Sequence, residues 1–306
     1  MSNERRGVLF GIAAYSIWGL FPLYFTLLQP SGALEVLAHR CLWCLVALAL
    51  LLTVRRQWAW LRPMLADRRR MAMLTAAAVA IALNWGLYIY AVNAHHVTEA
   101  ALGYFINPLI TVLLGVVVLH EKLTRTGWVA VGLAGCAVAV LTISYGRLPY
   151  IALILALSFA CYGFLKNRIK APAIESLTVE TAVLAIPALI VVLVLASTGK
   201  GTFGHSAGHS TLLAGAGVVT AVPLVLFGAA ATRVSLTTMG LLQYLTPTGQ
   251  FLVAVLVRHE PLPTDRLVGF CLIWLALIVF TVGNTRKRRS HSKAERDLRD
   301  AFVSSR

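Results

Sequence analysis

Long apolar stretches alternate with short polar ones along the whole chain of 306 residues. Each apolar stretch runs for roughly 18–22 residues, which is enough for a helix to cross the hydrocarbon core of a bilayer. These stretches lack the alternating apolar and polar positions that mark the strands of membrane barrels. The pattern therefore predicts an all-α integral membrane protein with ten transmembrane helices, over residues 7–28, 33–54, 71–93, 98–119, 126–144, 149–166, 176–198, 211–230, 236–257 and 264–284.

One segment of the chain occurs twice, 139 residues apart. The residues aligned by a gap-free shift include Thr98 with Thr237, Pro108 with Pro247, and His120-Glu121 with His259-Glu260. Each half of the chain holds five predicted spans, an odd number, so the second half must enter the membrane from the opposite side. The repeat therefore predicts two inverted five-helix repeats, residues 1–144 and 145–285. In such proteins the substrate site usually lies between the halves near the middle of the membrane.

Composition and charge support a membrane location. Hydrophobic residues make up 58% of the chain and charged residues 13%, and the mean hydropathy is +0.78, which excludes an ordinary soluble domain. The net charge of +15 would suit nucleic-acid binding, but 22 of the 27 Lys and Arg residues fall on one side of the predicted membrane. This asymmetry is typical of cytoplasmic loops. We therefore expect a protein of the cytoplasmic membrane with both termini in the cytoplasm and no nucleic-acid partner.

The basic charge of the last segment, residues 286–306, predicts a disordered cytoplasmic tail that contacts anionic lipid head groups. Membrane lipids and a small-molecule substrate are the partners expected, and association as a homodimer stays open.

Hydrogen-bonding residues are concentrated in the third and fourth predicted spans. Tyr104, Asn107 and Thr111 follow helical spacing and share one face. The 139-residue shift places a second polar stripe at the matching positions, which are Gln243, Thr246 and Gln250. These stripes favour a substrate cavity. In the alternative interpretation, Asn84 and Asn107 satisfy their amides by bonding to neighbouring helices.

Two prolines strengthen the cavity hypothesis. Pro108 and Pro247 lie near the middle of their predicted spans, and each removes the bond that the carbonyl four residues earlier would accept. Those carbonyls belong to Tyr104 and Gln243, within the two stripes. The residues predicted to line the cavity are Trp18, Asn84, Tyr88, Tyr104, Asn107, Tyr162, Gln243 and Thr246.

Charged residues inside the spans are candidates for gating or coupling. Arg40 lies well inside a span, where a charge is costly and usually faces a cavity or a partner. We expect it to pair with Glu35 or Glu99 near the outer surface, with His39 nearby. A second pair, Glu180 with Lys166, is expected near the inner surface. In the alternative interpretation, Arg40 reaches the outer interface and serves as an anchor.

The sequence offers little for metal, cofactor or enzyme chemistry. Cys41 and Cys44 form a CxxC without a second pair to complete four ligands. The two His-Glu pairs lack the second histidine of a zinc motif. No nucleotide-binding glycine loop, GxSxG or pair of carboxylates arranged for hydrolysis is found. We therefore expect no metal, no cofactor and no enzymatic activity.

Longer strings of the sequence resemble a known family. Residues 84–110 (NWGLYIYAVNAHHVTEAALGYFINPLI), residues 222–248 (VPLVLFGAAATRVSLTTMGLLQYLTPT), AHR at 38–40 and the stretch from Tyr162 to Lys166 are similar to the RarD subfamily of EamA-type transporters. These belong to the drug/metabolite transporter superfamily, and the resemblance covers about residues 5–285.

The resemblance implies a permease of the cytoplasmic membrane that works by alternating access. The subfamily name refers to chloramphenicol sensitivity, so chloramphenicol-like drugs join small amphipathic metabolites as candidate substrates, with export as the expected direction. The alternative from a different class is a membrane-embedded enzyme that acts on a lipid or a lipid-linked substrate.

Overall fold

The computed structural model of the chain describes residues 3–120, 123, 125–169, 171–231, 233–234, 242–264 and 266–283. The tail predicted for residues 286–306 lies outside the described residues, as do Glu121 and Thr237 of the repeated segment. All the regular secondary structure in the described part of the chain is helical, as the sequence predicts.

Helices follow one another with short connections. They are α1 (Asn3–Gly19), α2 (Phe21–Leu27), α3 (Ala33–Val54), α4 (Leu61–Ala66), α5 (Arg68–Asn93), α6 (Val97–Leu119), α7 (Arg125–Tyr145), α8 (Tyr150–Ile169), α9 (Ala173–Ser197), α10 (Ala207–Ala231), α11 (Leu245–Leu252) and α12 (Arg266–Gly283). A π-helical turn, Val253–Val257, extends α11. The short helix α4 lies in the connection between the second and third predicted spans.

Seven of these helices are long and apolar enough to cross a membrane. The helices α1 and α2 qualify together but are bent by 42° at their junction, and the segments Tyr150–Lys166 and Leu245–Val257 are shorter apolar helices. Each predicted span therefore overlaps a helix, and a multi-pass membrane protein is confirmed. The count of ten spans and the inverted arrangement of the halves stay predictions.

The chain divides into two compact units, one within residues 1–107 and 150–261 and the other within 108–149 and 262–306. In the second unit, α7 and α12 pack antiparallel, with Leu141 against Gly269 and Thr126 against Gly283. The predicted repeats, 1–144 and 145–285, are defined by the correspondence between two parts of the sequence. They stay a prediction. Apart from Pro108, every residue predicted for the site belongs to the first unit.

In the first unit, α3 packs against α5, α9 and α10, while α1 packs against α10 and α11. The helix α5 also packs against α8 and α9. Apolar side chains of α2, α3, α5, α6 and α8 fill the space between these helices, with Phe25, Leu28, Ile89 and Leu155 among those fully or almost fully buried. The site described below lies next to this core.

One face of α6 lies along α8 in the first unit. Its contacts are Glu99 with Ile151, Gly103 with Ala152, and Asn107 with Ala156. The contacts advance together along both helices, so the two helices run parallel. A Cβ atom on Gly103 would lie 2.7 Å from the Ala152 carbonyl oxygen, which means that only glycine permits this approach.

The two matching histidines of the repeat, His120 and His259, follow their helices in the same backbone conformation. His120 has φ 53° and His259 has φ 51°, in the left-handed region that few residues other than glycine adopt. The same backbone conformation therefore occurs at matching positions of the repeated segment, next to the ends of the fourth and ninth predicted spans.

Candidate functional site

The side chain of Arg40 is enclosed by aromatic rings in the first unit. It lies on α3, about 10 Å along the helix axis from the first residue, and is 3% exposed. Its Cζ atom lies 4.0 Å from the ring centroid of Trp85, 5.3 Å from that of Phe21 and 5.5 Å from that of Phe25. A cation over desolvated ring faces gains about 2 kcal/mol per favourable contact. We call these three rings and the guanidinium the Arg40 cage.

The polar contacts of Arg40 are incomplete. Its Nε donates to the hydroxyl oxygen of Thr220 on α10 at 2.8 Å, and Thr220 in turn donates to its own helix at Ala216. The Nη1 atom is buried and has no hydrogen-bond partner among the residues that the structure describes. A buried guanidinium with a free donor is costly unless something pairs with it.

The predicted pairing of Arg40 with Glu35 or Glu99 is wrong. Glu35 accepts hydrogen bonds from the backbone N–H of Thr202, at 2.6 Å, and of Phe203, at 3.2 Å, in the loop between α9 and α10. Glu99 accepts from the N–H of Ile151 at 3.1 Å. Both carboxylates are used by peptide N–H groups instead. The anchoring alternative is also contradicted, because the side chain of Arg40 is buried.

Glu99, on α6, lies beside the beginning of α8. The first N–H groups of a helix have no partner within the helix. A buried carboxylate there satisfies such a donor and complements the positive end of the helix dipole. Glu99 is 1% exposed, so this capping explains its burial without a role in coupling. Its assignment as a coupling residue stays a prediction without support from this contact.

His39 lies next to the loop between α9 and α10. Its ring stacks on that of Phe203, with centroids 4.5 Å apart, and both ring nitrogens are buried without hydrogen-bond partners. Close by, the hydroxyl groups of Ser31 and Thr202 contact each other at 2.6 Å and the Nε2 atom of His209 at 2.8 and 3.0 Å. His39 therefore packs on the loop that Glu35 holds.

A row of aromatic rings runs from the Arg40 cage towards α8 and α9. Consecutive rings have centroids between 5.8 and 6.1 Å apart, mostly edge to face, and they are Phe25, Tyr88, Tyr104, Phe159 and Tyr162. Such edge-to-face pairs are favourable beyond their buried area. The row brings three of the predicted lining residues together in one line.

Asn84 stands beside this row and is fully satisfied. Its oxygen accepts from the hydroxyl of Tyr104 at 2.9 Å, and its Nδ2 donates to the Leu155 carbonyl and to Ser158 Oγ. Asn107 likewise donates to the Ala156 carbonyl at 3.1 Å. These bonds favour the interpretation in which the two amides connect α5 and α6 to α8. Their role as cavity lining stays a prediction.

Tyr88 differs from its neighbours in the row. It is 3% exposed, and its hydroxyl is buried without a hydrogen-bond partner. The Phe25 ring is a neighbour of both groups, with its centroid 5.9 Å from that of the Tyr88 ring and 5.5 Å from Arg40 Cζ. Two buried donors without partners therefore adjoin the same phenyl ring.

The far end of the row reaches a buried ion pair. Lys166 Nζ lies 2.8 Å from Glu180 Oε1, as the sequence predicts. The hydroxyls of Tyr162 and Ser176 donate to the same carboxylate at 3.0 and 2.7 Å, and Lys166 also bonds to Ser176. Glu180 is entirely buried. Its partners are all side chains, which reorient more easily than peptide groups. The gating role of this pair stays a prediction.

The junction between α1 and α2 explains the position of Trp18. Pro22 has no N–H to donate to the Trp18 carbonyl, and Gln250 Nε2 on α11 approaches that oxygen at 3.4 Å instead. Next to it, Thr246 donates to the Tyr15 carbonyl at 3.0 Å. Gly19 and Gly249 allow the two helices to meet, since a Cβ on Gly249 would lie 3.1 Å from the Gly19 Cα. The Trp18 ring packs between Tyr15 and Phe227.

Pro247 removes the partner that the Gln243 carbonyl would have four residues on, as the sequence predicts. The carbonyl is nevertheless bonded, because the N–H of Thr246, in the first turn of α11, donates to it at 3.3 Å. Pro247 lies in the first turn of α11 and not in mid-helix. A missing N–H in the first turn of a helix costs no bond. Pro108 is accommodated inside α6, which continues past it. The Gln243 side chain is half-buried.

A second buried arginine was missed because its position between two spans suggested a loop. Arg258 Nη2 donates to the Val92 carbonyl at 2.8 Å and to His95 Nδ1 at 3.0 Å, and Nη1 bonds to Thr26. Its Nε lies 3.8 Å from Glu260 Oε1. Glu260 also accepts from the N–H groups of Val97 and Thr98, both at 2.8 Å, at the beginning of α6.

Other missed residues had weaker signals in the sequence. Phe21 and Phe25 are four residues apart on α2 and share a face, which periodicity alone would have shown. Thr220 gives no local signal, since it lies 180 residues from Arg40. Among the described residues, no group of three or more His, Cys, Asp or Glu side chains is placed to hold a metal ion.

The chain has several helices long enough to cross a membrane, with a buried cation and polar groups between them. This combination is typical of membrane transport proteins. The EamA-like transporter family matches residues 5–143. Protein RarD of Streptomyces exfoliatus is 51% identical over 296 residues, covering 96% of this chain and 94% of that protein. An uncharacterized transporter of Pseudomonas aeruginosa is 42% identical, covering 94% of this chain and 97% of its own length.

A solved crystal structure of a protein has the same fold, with a TM-score of 0.60 and 15% identity, covering 92% of this chain and 97% of its own. At that identity the likeness concerns the fold alone. The sequence relatives decide the family. The chain belongs to the EamA-like transporters, in the group of the RarD proteins, and is a multi-pass membrane transporter.

Proposed function

We propose that this transporter moves a small amphipathic molecule out of the cell across the cytoplasmic membrane by alternating access. The observation that carries the proposal is the Arg40 cage, in which a buried cation with a free donor is surrounded by aromatic rings. A charge inside a membrane protein is expensive and persists where it contributes to a substrate path. The bent junction of α1 and α2 lies beside the cage, and interrupted helices commonly form transporter sites.

The chemistry of the site supports a substrate with an apolar or aromatic body and few charges. Three rings and a row of tyrosines supply flat apolar surfaces, while hydroxyl and amide groups supply a few oriented hydrogen bonds. A phosphorylated sugar would require several cations, and Arg40 is the one cation of the cage. Chloramphenicol-like drugs and amino-acid-like metabolites both fit this description.

Alternating access requires contacts that break in turn on the two sides of the membrane. We assign the inner contact to Lys166 and Glu180, whose partners are side chains. The outer contact is the loop held by Glu35 through Thr202 and Phe203. The aromatic row separates the inner contact from the Arg40 cage. The outer contact begins at Glu35, five residues before Arg40 on α3, so its opening is expected to be felt at the cage.

For the topology we propose ten spans in two inverted five-helix repeats, with both termini in the cytoplasm and lipids as the surrounding partner. The distribution of basic residues and the repeated His-Glu helix ends support this arrangement. Reporter fusions at residue 147 and at the carboxyl terminus are expected to report the outside and the inside respectively. The same side for both fusions would contradict the inverted repeat.

The decisive experiment is a substrate screen with purified protein in sealed vesicles, run with and without a pH gradient. We expect accumulation of at least one small amphipathic compound that protein-free vesicles do not take up. The matched control is the variant Arg70→Gln, which removes a positive charge from an exposed pair with Asp67 and should transport as well as the original protein. A screen in which no small amphipathic compound is transported would refute the proposal.

A further inference from the structure

The inference deepens the proposed function and rests on it. We propose that the Arg40 cage binds a carboxylate of the substrate, with Arg40 Nη1 and the Tyr88 hydroxyl as the donors. The transported molecule would then be an organic acid, or an amino-acid-like molecule with a carboxylate, whose apolar or aromatic group lies against the rings of the cage.

The charge of the site requires an anion. Arg40 is 3% exposed, and its polar contact is the neutral hydroxyl of Thr220. The two acids expected to pair with it, Glu35 and Glu99, are bonded to peptide N–H groups of other segments. Ring faces stabilise the cation only partly, by about 2 kcal/mol for a desolvated contact. The remaining electrostatic cost is removed when a negatively charged ligand enters.

The geometry of the donors favours a carboxylate. The Nη1 atom of Arg40 and the hydroxyl of Tyr88 are both buried without partners, and both side chains adjoin the Phe25 ring. A carboxylate has two oxygens and accepts from two donors at once, and such charge-assisted bonds are about twice as strong as neutral ones. A carboxylate that accepts from Arg40 Nη1 therefore has a second oxygen available for the Tyr88 hydroxyl.

The surroundings select the rest of the ligand. Trp85, Phe21 and Phe25 present ring surfaces next to the guanidinium, so the group attached to the carboxylate is expected to be apolar or aromatic. A small inorganic anion would satisfy the charge but leave these rings without a contact. An organic acid satisfies both.

The test compares an acid with its neutral amide on the purified full chain. Binding of radiolabelled phenylacetate is measured in lipid nanodiscs and is displaced by unlabelled phenylacetate or phenylacetamide. We expect the acid to bind at least about tenfold more tightly than the amide, which corresponds to one charge-assisted contact. Equal affinities, or no binding of the acid, would overturn the proposal without the need for any variant.

Variants then assign the donors. We expect Arg40→Gln to weaken binding of the acid at least about tenfold and to leave the affinity for the amide unchanged, while Arg40→Lys retains part of the preference. Tyr88→Phe keeps the ring and should weaken binding of the acid about threefold to tenfold. The matched control Arg70→Gln is expected to bind both compounds as the original protein does. A fully retained preference in Arg40→Gln would refute the site.

Failure of this inference and failure of the proposed function give different results. Vesicle transport restricted to neutral compounds and unaffected by Arg40→Gln would leave the transporter in place but overturn the carboxylate site. Selective binding of the acid by a protein that transports nothing in the screen would support the site and overturn the proposed function.

Discussion

Two buried arginines in the same unit of this transporter have opposite environments. Arg258 bonds to Thr26, to the Val92 carbonyl and to His95, and lies 3.8 Å from the carboxylate of Glu260. Arg40 has one hydrogen bond, to Thr220, and otherwise contacts aromatic rings. Both side chains are almost fully removed from solvent, so exposure does not distinguish them. The two side chains differ in the groups that their guanidinium atoms contact.

The difference teaches which buried charge serves the fold and which is available to a ligand. Arg258 joins the carbonyl end of α5 and the amino end of α6 through Glu260, so its charge and that of its partner complement the two helix dipoles. Its charge is paired with that of Glu260, although its buried Nε atom donates no hydrogen bond among the described residues. Arg40 keeps a free donor in a setting of polarisable rings, which is an arrangement that a bound anion completes.

The largest effect is expected for Arg258→Gln. Removing one member of a buried ion pair leaves the other charge uncompensated, which costs about 3–5 kcal/mol. We therefore expect a large loss of stability, measured by thermal unfolding of the purified protein in detergent, together with low levels in the membrane. The same substitution at Arg40 is expected to cost much less.

A double variant isolates the pair. Because Glu260 also accepts from Val97 and Thr98, Glu260→Gln keeps one acceptor for these N–H groups while removing the charge. The variant with both Arg258→Gln and Glu260→Gln should be less destabilised than the sum of the two single variants. Strict additivity would show that the two charges do not interact, and the contrast between the two arginines would lose its basis.

The next effect in size concerns Arg40. We expect Arg40→Gln to reduce vesicle transport at least about tenfold, while Arg40→Lys retains much more activity because it keeps the positive charge. Thermal unfolding of both variants is the control, and it should change little compared with Arg258→Gln. Transport by Arg40→Gln at the original rate would reduce Arg40 to a packing residue.

A smaller effect is expected from the predicted cavity amides. Replacing both Asn107 and Gln243 with Leu should lower transport about fivefold, which is the value of roughly one hydrogen bond, without removing the protein from the membrane. The control is Thr142→Val on α7. Among the hydrogen bonds that the structure gives for Thr142, its hydroxyl donates only to the Val138 carbonyl of its own helix. Normal transport by the double variant would leave packing as the function of both amides.

The smallest effect is expected for Thr220→Val. This change keeps the shape of the side chain but removes the acceptor for Arg40 Nε, and the loss of one such bond corresponds to about threefold in transport. The effect should disappear in the Arg40→Gln background, since the contact is then already lost. An equal effect in both backgrounds would show that Thr220 acts through its own helix.

Hydrophobic periodicity was sufficient to predict the helices, because the length of an apolar stretch is a local property of the sequence. The Lys166–Glu180 pair was also predictable, since its members lie on consecutive helices joined by a short turn. The partners of Arg40 were not, because Thr220 lies 180 residues away and no pattern connects them. Glu35 and Glu99 were misassigned because a sequence shows the charge of a side chain but not which peptide N–H groups the fold brings to it.

The replaced hydrogen bond at Trp18 has a consequence for motion. Since Pro22 leaves the carbonyl of Trp18 without a helical partner, bending at this junction costs that oxygen only the long contact from Gln250, at 3.4 Å. A single neutral hydrogen bond contributes about 1 kcal/mol, which is of the order of thermal energy. The junction itself therefore resists bending little, and the resistance of α2 to movement comes from the bond between Thr26 and Arg258 and from the burial of Phe25 in the core.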